Sequence, residues 1–238
     1  QCGDGGWDYR AQRAPAGHDL SLVVMQAKAL RSAMDSGLDV PPATVELALR
    51  CVREHYSASD GRRGLEEAEL REVPGQFTYT KGGGGASPAM AAAGVVCLQE
   101  FGQYDDWRIA RNMEAIESAI ERLPATQTDG RMPFDAYTLY YVGQALYQVG
   151  GERWRVNYPR LRDYLVRSQQ LGEGDSRAQG LWRDVGARGG GHVSDKPGEL
   201  FGTAVACLFL AIPNRYLPIL QEGRIEGLSE QFPAKGER

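Results

Sequence analysis

One pattern recurs three times in this chain: an aromatic residue set in a glycine-rich turn, then a polar loop, then an almost wholly apolar helix. The turns read Gly5-Gly6-Trp7-Asp8-Tyr9, Gly75-Gln76-Phe77-Thr78-Tyr79 and Gly180-Leu181-Trp182-Arg183-Asp184, and a degenerate fourth runs from Asp129-Gly130 to Phe134. A repeat of this length predicts an array of stacked helical hairpins. One such hairpin cannot cover its own apolar faces and needs neighbours to do it.

The expected helices are of two kinds. In the first, apolar residues recur at spacings of four and three: Ile109, Met113, Ile116, Ile120 and Leu123 in one segment, and Trp154, Tyr158, Leu161 and Leu165 in another. That is a single apolar stripe on a charged helix, so one face stays wet. A third member spans Pro41 to about Tyr56, with Val45, Leu49 and Val52 on the stripe and prolines where a first turn tolerates them. In the second kind, Leu20 to Ala33, Ala89 to Leu98, Ala136 to Val149 and Leu200 to Ile212, apolar and small residues go nearly all the way round. Such helices are expected to be covered on most sides, with Ala91, Ala92, Ala93, Gly94, Ala204 and Ala206 allowing close approach of neighbours. Alternation of covered and half-covered helices is what an all-α toroid of inner and outer helices, or an open arc of one, requires.

The rest of the composition narrows function mainly by exclusion. A net charge of -4 over 238 residues leaves no electrostatic footprint for nucleic acid. No apolar run reaches the roughly 18 residues that span a bilayer, the nearest being Leu200 to Ile212. Cys2, Cys51, Cys97 and Cys207 are scattered singly, without zinc spacing or a dense disulfide pattern, and read as small buried apolar residues. The chain begins at Gln1, so it is read as a piece of a longer protein, with any export signal upstream and localisation left open.

At Gln1-Cys2-Gly3-Asp4-Gly5-Gly6-Trp7 the chain matches the Gln-Trp repeat of the terpene cyclases: glutamine, three residues, glycine, one residue, tryptophan. It resembles the squalene-hopene cyclase and protein prenyltransferase superfamily. The likeness covers residues 1–220 as toroid repeats, is degenerate at Gly75 to Tyr79 and carries an insertion between Gln169 and Trp182. Residues 221–238 form a polar C-terminal tail. In that family the glutamine closes the C-terminal end of an outer helix and the tryptophan stacks over it, a structural role that gives unpaired helix carbonyls a donor. The resemblance therefore implies a C-terminal fragment with an outer helix before Gln1.

The chemistry of the family transfers poorly. Class II cyclases protonate their substrate with the central acid of an Asp-x-Asp-Asp run. No such run occurs here, and the one adjacent pair, Asp105-Asp106, is expected to cap a helix. Protein prenyltransferases hold zinc with an aspartate, a cysteine two residues on and a distant histidine. The corresponding place is Asp135-Ala136-Tyr137, with tyrosine where the cysteine belongs, and no histidine lies near Phe201-Gly202-Thr203. No metal and no cofactor are expected. The thioester motif of complement-type toroids is also missing, because Cys2-Gly3-Asp4-Gly5 lacks its glutamine.

Weaker candidates remain. Lys81, followed by Gly82 to Gly85, opens a covered helix with Ser87 as N-cap and Pro88 at its first position, and glycine amides there would suit a diphosphate or a plain turn. The same two readings hold for Arg183, Arg188 and His192. Tyr137 and Tyr141, with Tyr140 and Tyr147, would line a cavity that stabilises carbocations or would pack between helix layers. Asp19 and Asp135 are the acids to consider for catalysis, with helix capping as the alternative for Asp19 and His18 as its sequence neighbour. His55 is expected at the negative end of a helix dipole. Two functions follow: an enzyme or binding protein for an isoprenoid or other apolar small molecule in the ring, or a non-catalytic repeat scaffold that holds a protein partner.

Overall fold

The computed structural model describes residues 1–10, 12–124, 132–171, 180–182 and 199–214. Arg183, Arg188, His192 and the 221–238 tail lie outside them, as do Asp129 to Arg131 of the degenerate fourth turn. The described chain is mainly helical. Its elements in order are α1 (Leu20–Asp35), α2 (Pro42–Glu54), β1 (Tyr56–Ala58), α3 (Glu67–Glu72), β2 (Gly75–Thr80), β3 (Gly84–Ala86), α4 (Pro88–Glu100), α5 (Trp107–Glu121), α6 (Ala136–Val149), α7 (Gly151–Ser168) and α8 (Glu199–Ala211). The chain divides into two compact units with the boundary at Ile116–Glu117, the first holding Gln1–Ile116 and the second the described residues from Glu117 onward.

In the first unit α4 is the centre. Ala89 through Glu100 are all buried, as a helix without a polar face demands. Its N-terminus follows from sequence: the Ser87 side chain accepts the Met90 amide hydrogen, and Pro88 occupies a position whose N–H has no helical partner anyway. Helix α1 packs mainly on α4, and α2 packs on both. Asp19, the N-cap of α1, accepts from the Tyr79 hydroxyl of β2 at 2.8 Å, and Lys28 of α1 lies 3.4 Å from Glu100 at the C-terminal end of α4.

In the second unit α6 packs on α8, and α7 touches both. Stacked rings join the three helices. Tyr147 of α6 meets Trp154 edge to face, Trp154 stacks on Tyr158 at 4.1 Å between centroids, and Tyr158 stacks on Phe209 of α8. The sequence alternation of helix types thus reappears in each unit as two closely packed apolar helices bridged by a striped one.

Three expectations need correction. The Gly75 to Tyr79 segment is not a turn: it forms β2, the middle of a three-stranded antiparallel sheet ordered β1-β2-β3. Phe77 is buried on β2 and its amide donates to Asn112 of α5. Helices α1 and α8 are not covered all round. Only Leu20, Val23, Val24 and Ala27 of α1 are buried, fewer than the Val45, Ala48, Leu49, Cys51 and Val52 of the shorter, striped α2. Cys207 is exposed on α8, whereas Cys2, Cys51 and Cys97 are buried as expected.

The repeated turns keep one shared device at their ends. Gly5 and Gly180 both adopt positive φ, 87° and 80°, which a side chain would resist. Each stands two residues before a tryptophan, and each carbonyl accepts a glutamine amide: Gln1 to Gly5 at 3.0 Å, Gln169 to Gly180 at 2.9 Å. The helix end is closed differently from the family expectation. At the C-terminus of α7 the carbonyl of Leu165 is reached by the indole N–H of Trp182, not by the glutamine.

Candidate functional site

Lys81 follows β2, and its ammonium lies 2.7 Å from Asp4 and 2.6 Å from Glu54 on α2. Asp4 in turn accepts the amide hydrogens of Gly6 and Gly17, so one carboxylate gathers the first turn, the lead into α1 and the β2 end. Burial alone would raise the Asp4 carboxyl, but Lys81 and the two amides outweigh it and hold the pKa below 3.8. Burial would likewise lower Lys81, yet its two carboxylate partners raise it above its ordinary value. The lysine is spent on internal ion pairs.

Asp19 caps α1: it is buried, and its Oδ1 accepts from the Leu22 amide. Its oxygens also accept from the hydroxyls of Tyr79, Tyr9 and Ser21. Burial opposes ionisation, and these donors overcome it, so the carboxyl stays below 3.8. An acid held ionised by hydroxyl donors is a poor proton donor near neutrality. His18 does not pair with it; the His18 ring lies edge to face with Tyr9, and its Nε2 is 3.8 Å from Asp8. His55 is buried, with Nδ1 3.2 Å from the Thr78 carbonyl, and burial lowers its pKa. It stands at the C-cap of α2, the helix end where it was expected. Cys51 lies in the last turn of α2, just before His55 at its C-cap, but burial pushes its thiol up to about 11, far from the thiolate a nucleophile needs.

Asp135 lies in the second unit and caps α6, accepting from the amide and hydroxyl of Thr138. Tyr137 and Tyr140 both meet Tyr141 edge to face, at 4.9 Å and 5.0 Å. Tyr141 is buried. These contacts are aromatic packing within one helix face. Arg188 and His192 lie outside the described residues. Among the described residues, no group of three or more His, Cys, Asp or Glu side chains is placed to hold a metal ion.

A cavity of about 1800 Å³ opens elsewhere in the first unit, at a place the sequence reading did not select. Its walls are the charged face of α2, strand β1, the loop through Gly61, Arg62, Arg63 and Gly64, and the start of α5. Asp106 holds its floor. Its carboxylate accepts the Arg108 amide at the start of α5, which is the expected capping, and pairs with Arg108 at 3.0 Å and Arg53 at 3.1 Å. Arg108 is buried and lies 4.5 Å over the Trp107 ring, whose indole donates to Glu67. These arginines neutralise fixed acids and shape the wall. Arg63 of the loop is exposed, as are Glu46 and Asp105 on the other walls. The signal for this place was the arginine pair between two glycines, followed much later by Asp105-Asp106-Trp107-Arg108, and only the fold brings the two segments together. No known protein family, curated protein or solved structure matches this chain.

Proposed function

We propose that the chain is a terpene cyclase/prenyltransferase-like repeat array, an arc of an α/α toroid, and that it acts as a non-catalytic scaffold holding a partner. The repeated pairing of two apolar helices bridged by a striped one, and the matching glutamine-to-glycine bonds at Gly5 and Gly180, support the architectural half of this reading. The functional half rests on one observation: Lys81, offered by the sequence as the diphosphate ligand, is already paired with both Asp4 and Glu54. Asp19 and Asp135, the two acids offered for catalysis, are each engaged in capping a helix.

The competing reading is an isoprenoid bound in the ring. Titrating the whole chain with farnesyl diphosphate at fixed salt, followed by tryptophan fluorescence, separates the two. The scaffold reading expects no saturable signal and no difference between wild type and Lys81→Ala. Saturable binding that Lys81→Ala abolishes would overturn it.

A further inference from the structure

His55 joins helix α2 to the small sheet of the first unit. It is the C-cap of α2, and its backbone carbonyl accepts from both the amide and the hydroxyl of Thr78 on β2, at 2.9 Å and 2.8 Å. Its ring returns the contact, with Nδ1 3.2 Å from the Thr78 carbonyl. A carbonyl can only accept, so Nδ1 carries the hydrogen of the neutral ring and a further proton has to go to Nε2. Among the described residues Nε2 has no hydrogen-bond partner, and the whole residue is 1% exposed. A charged ring in this place is covered, with one of its two donors unmatched.

We propose that His55 is an acid-sensitive latch: a proton on Nε2 is accommodated only when β2 comes away from the end of α2, so mild acid loosens the sheet from the helix. Ser57, Gln76 and Thr78 of the sheet and Arg53 and Glu54 of α2 line the same cavity, so release parts two of its walls. The C-terminal end of a helix favours a cation. Burial opposes it and prevails, holding the ring below 6.5; Lys81 adds to the effect, while the Thr78 carbonyl, Asp19 and Asp4 pull the other way. On α2 itself, Cys51 and Glu54 stand around the same lysine. Helix α4, packed on α2 and β2, brings only Cys97 and Glu100, both in its last turn, and Lys28 of α1 meets the latter. The folded ring thus binds its proton less readily than the released one. The latch is whole above about pH 6.5 and is lost as pH falls below that toward the folded-state value. Asp4 and Asp19, both below 3.8, stay ionised while this happens.

The latch goes beyond the scaffold reading and stands with or without it. Hydrogen exchange of the intact chain, read by mass spectrometry at about pH 7.5 and about pH 5.5 and corrected for the intrinsic pH dependence, tests it. A released ring that titrates near 6.5 is roughly ten-to-one charged at about pH 5.5, so the ceiling on lost protection is about tenfold. Peptides covering β1 and β2 should lose about five- to tenfold in protection on that step, and those of α6 should not change. His55→Asn keeps a donor near the Nδ1 position and cannot titrate, so it should abolish the step. Equal protection of β1 and β2 at both pH values in wild type, or a step that survives in His55→Asn, would overturn the latch. Proton NMR titration of the His55 ring, assigned with His18→Gln and His192→Gln, decides the matter even where His55→Asn does not fold. An apparent pKa below 6.5 supports the latch, and one at or above 6.5 overturns it.

Discussion

Gly94 lies directly under Phe77: a Cβ built on Gly94 would come within 2.1 Å of the Phe77 ring. The small-residue run of α4 is therefore explained in part by an aromatic from β2 and not solely by a neighbouring helix. Phe77 is fully buried and its backbone is held by the Asn112 side chain, so the ring has nowhere to retreat. Gly94→Ala is expected to destabilise the protein by about 3 kcal/mol, the upper part of the range for overpacking, despite the better helix propensity of alanine. Thermal or urea unfolding measures it. A variant as stable as wild type would mean that Phe77 is not seated on α4. Phe77→Leu, combined with Gly94→Ala, should restore part of the loss.

The pairing of Gln169 with Gly180 and of Trp182 with Leu165 gives the second expectation. Trp182 is buried and its indole satisfies a carbonyl in the last turn of α7. Trp182→Phe keeps most of the ring but removes this donor, and should lower stability by about 1 to 2 kcal/mol. Gln169→Ala should have an effect of about 1 kcal/mol, and Gln1→Ala a larger one of about 1 to 2 kcal/mol, because the Gln1 amide donates to the Thr44 carbonyl of α2 as well as to Gly5. Unfolding curves for the three variants decide this. A large loss for one glutamine and none for the other would separate the two copies of the turn.

These relationships show what the residues made legible. The stripes of α2, α5 and α7 follow from side-chain periodicity, and the wholly apolar sequences of α4 and α6 correctly announce their burial, because a helix has no other way to hide such faces. The same rule overstates α1 and α8, since periodicity describes the helix and says nothing about which neighbours are present to cover it. Strand β2 was hidden for a different reason. Phe77-Thr78-Tyr79-Thr80 is aromatic and β-branched, which is strand chemistry, but Gly75 and the glycine run from Gly82 give the segment turn-like flanks, and its partner Tyr56 to Ala58 lies across the α3 segment. The Lys81 ion pairs were equally illegible: Asp4 and Glu54 are distant in sequence, and nothing in a glycine-flanked lysine reports that two carboxylates already hold it.

Acid should weaken the first unit through Asp4 and Asp19. Both carboxyls sit below their ordinary 3.8 in the folded protein. A depressed folded-state pKa means the unfolded chain binds the proton more readily. The stabilisation is thus full above about pH 5 and drains away as pH falls below about 4 toward the folded-state values. Tyr79→Phe removes one donor to Asp19, and should reduce both the stability near neutrality and the steepness of its loss in acid. Urea midpoints between about pH 7 and pH 3 show this directly. A Tyr79→Phe curve parallel to wild type throughout would remove Asp19 from the account.

Thiol chemistry distinguishes the four cysteines. Cys207 is exposed, while Cys2, Cys51 and Cys97 are buried. Burial raises the Cys51 thiol to about 11 and Cys97 well above its ordinary value, so both have little thiolate to offer near neutral pH in addition to being covered. In the native chain at about pH 8, a disulfide-exchange reagent should label Cys207 rapidly and the others only as the protein opens. Mass spectrometry of early time points assigns the site, and Cys207→Ser should remove the fast phase without changing the slow one. Denaturant should bring all four into one fast phase. Early labelling of Cys97 in folded protein would contradict the packing of α4, because no route reaches that sulfur unless the helix leaves the core.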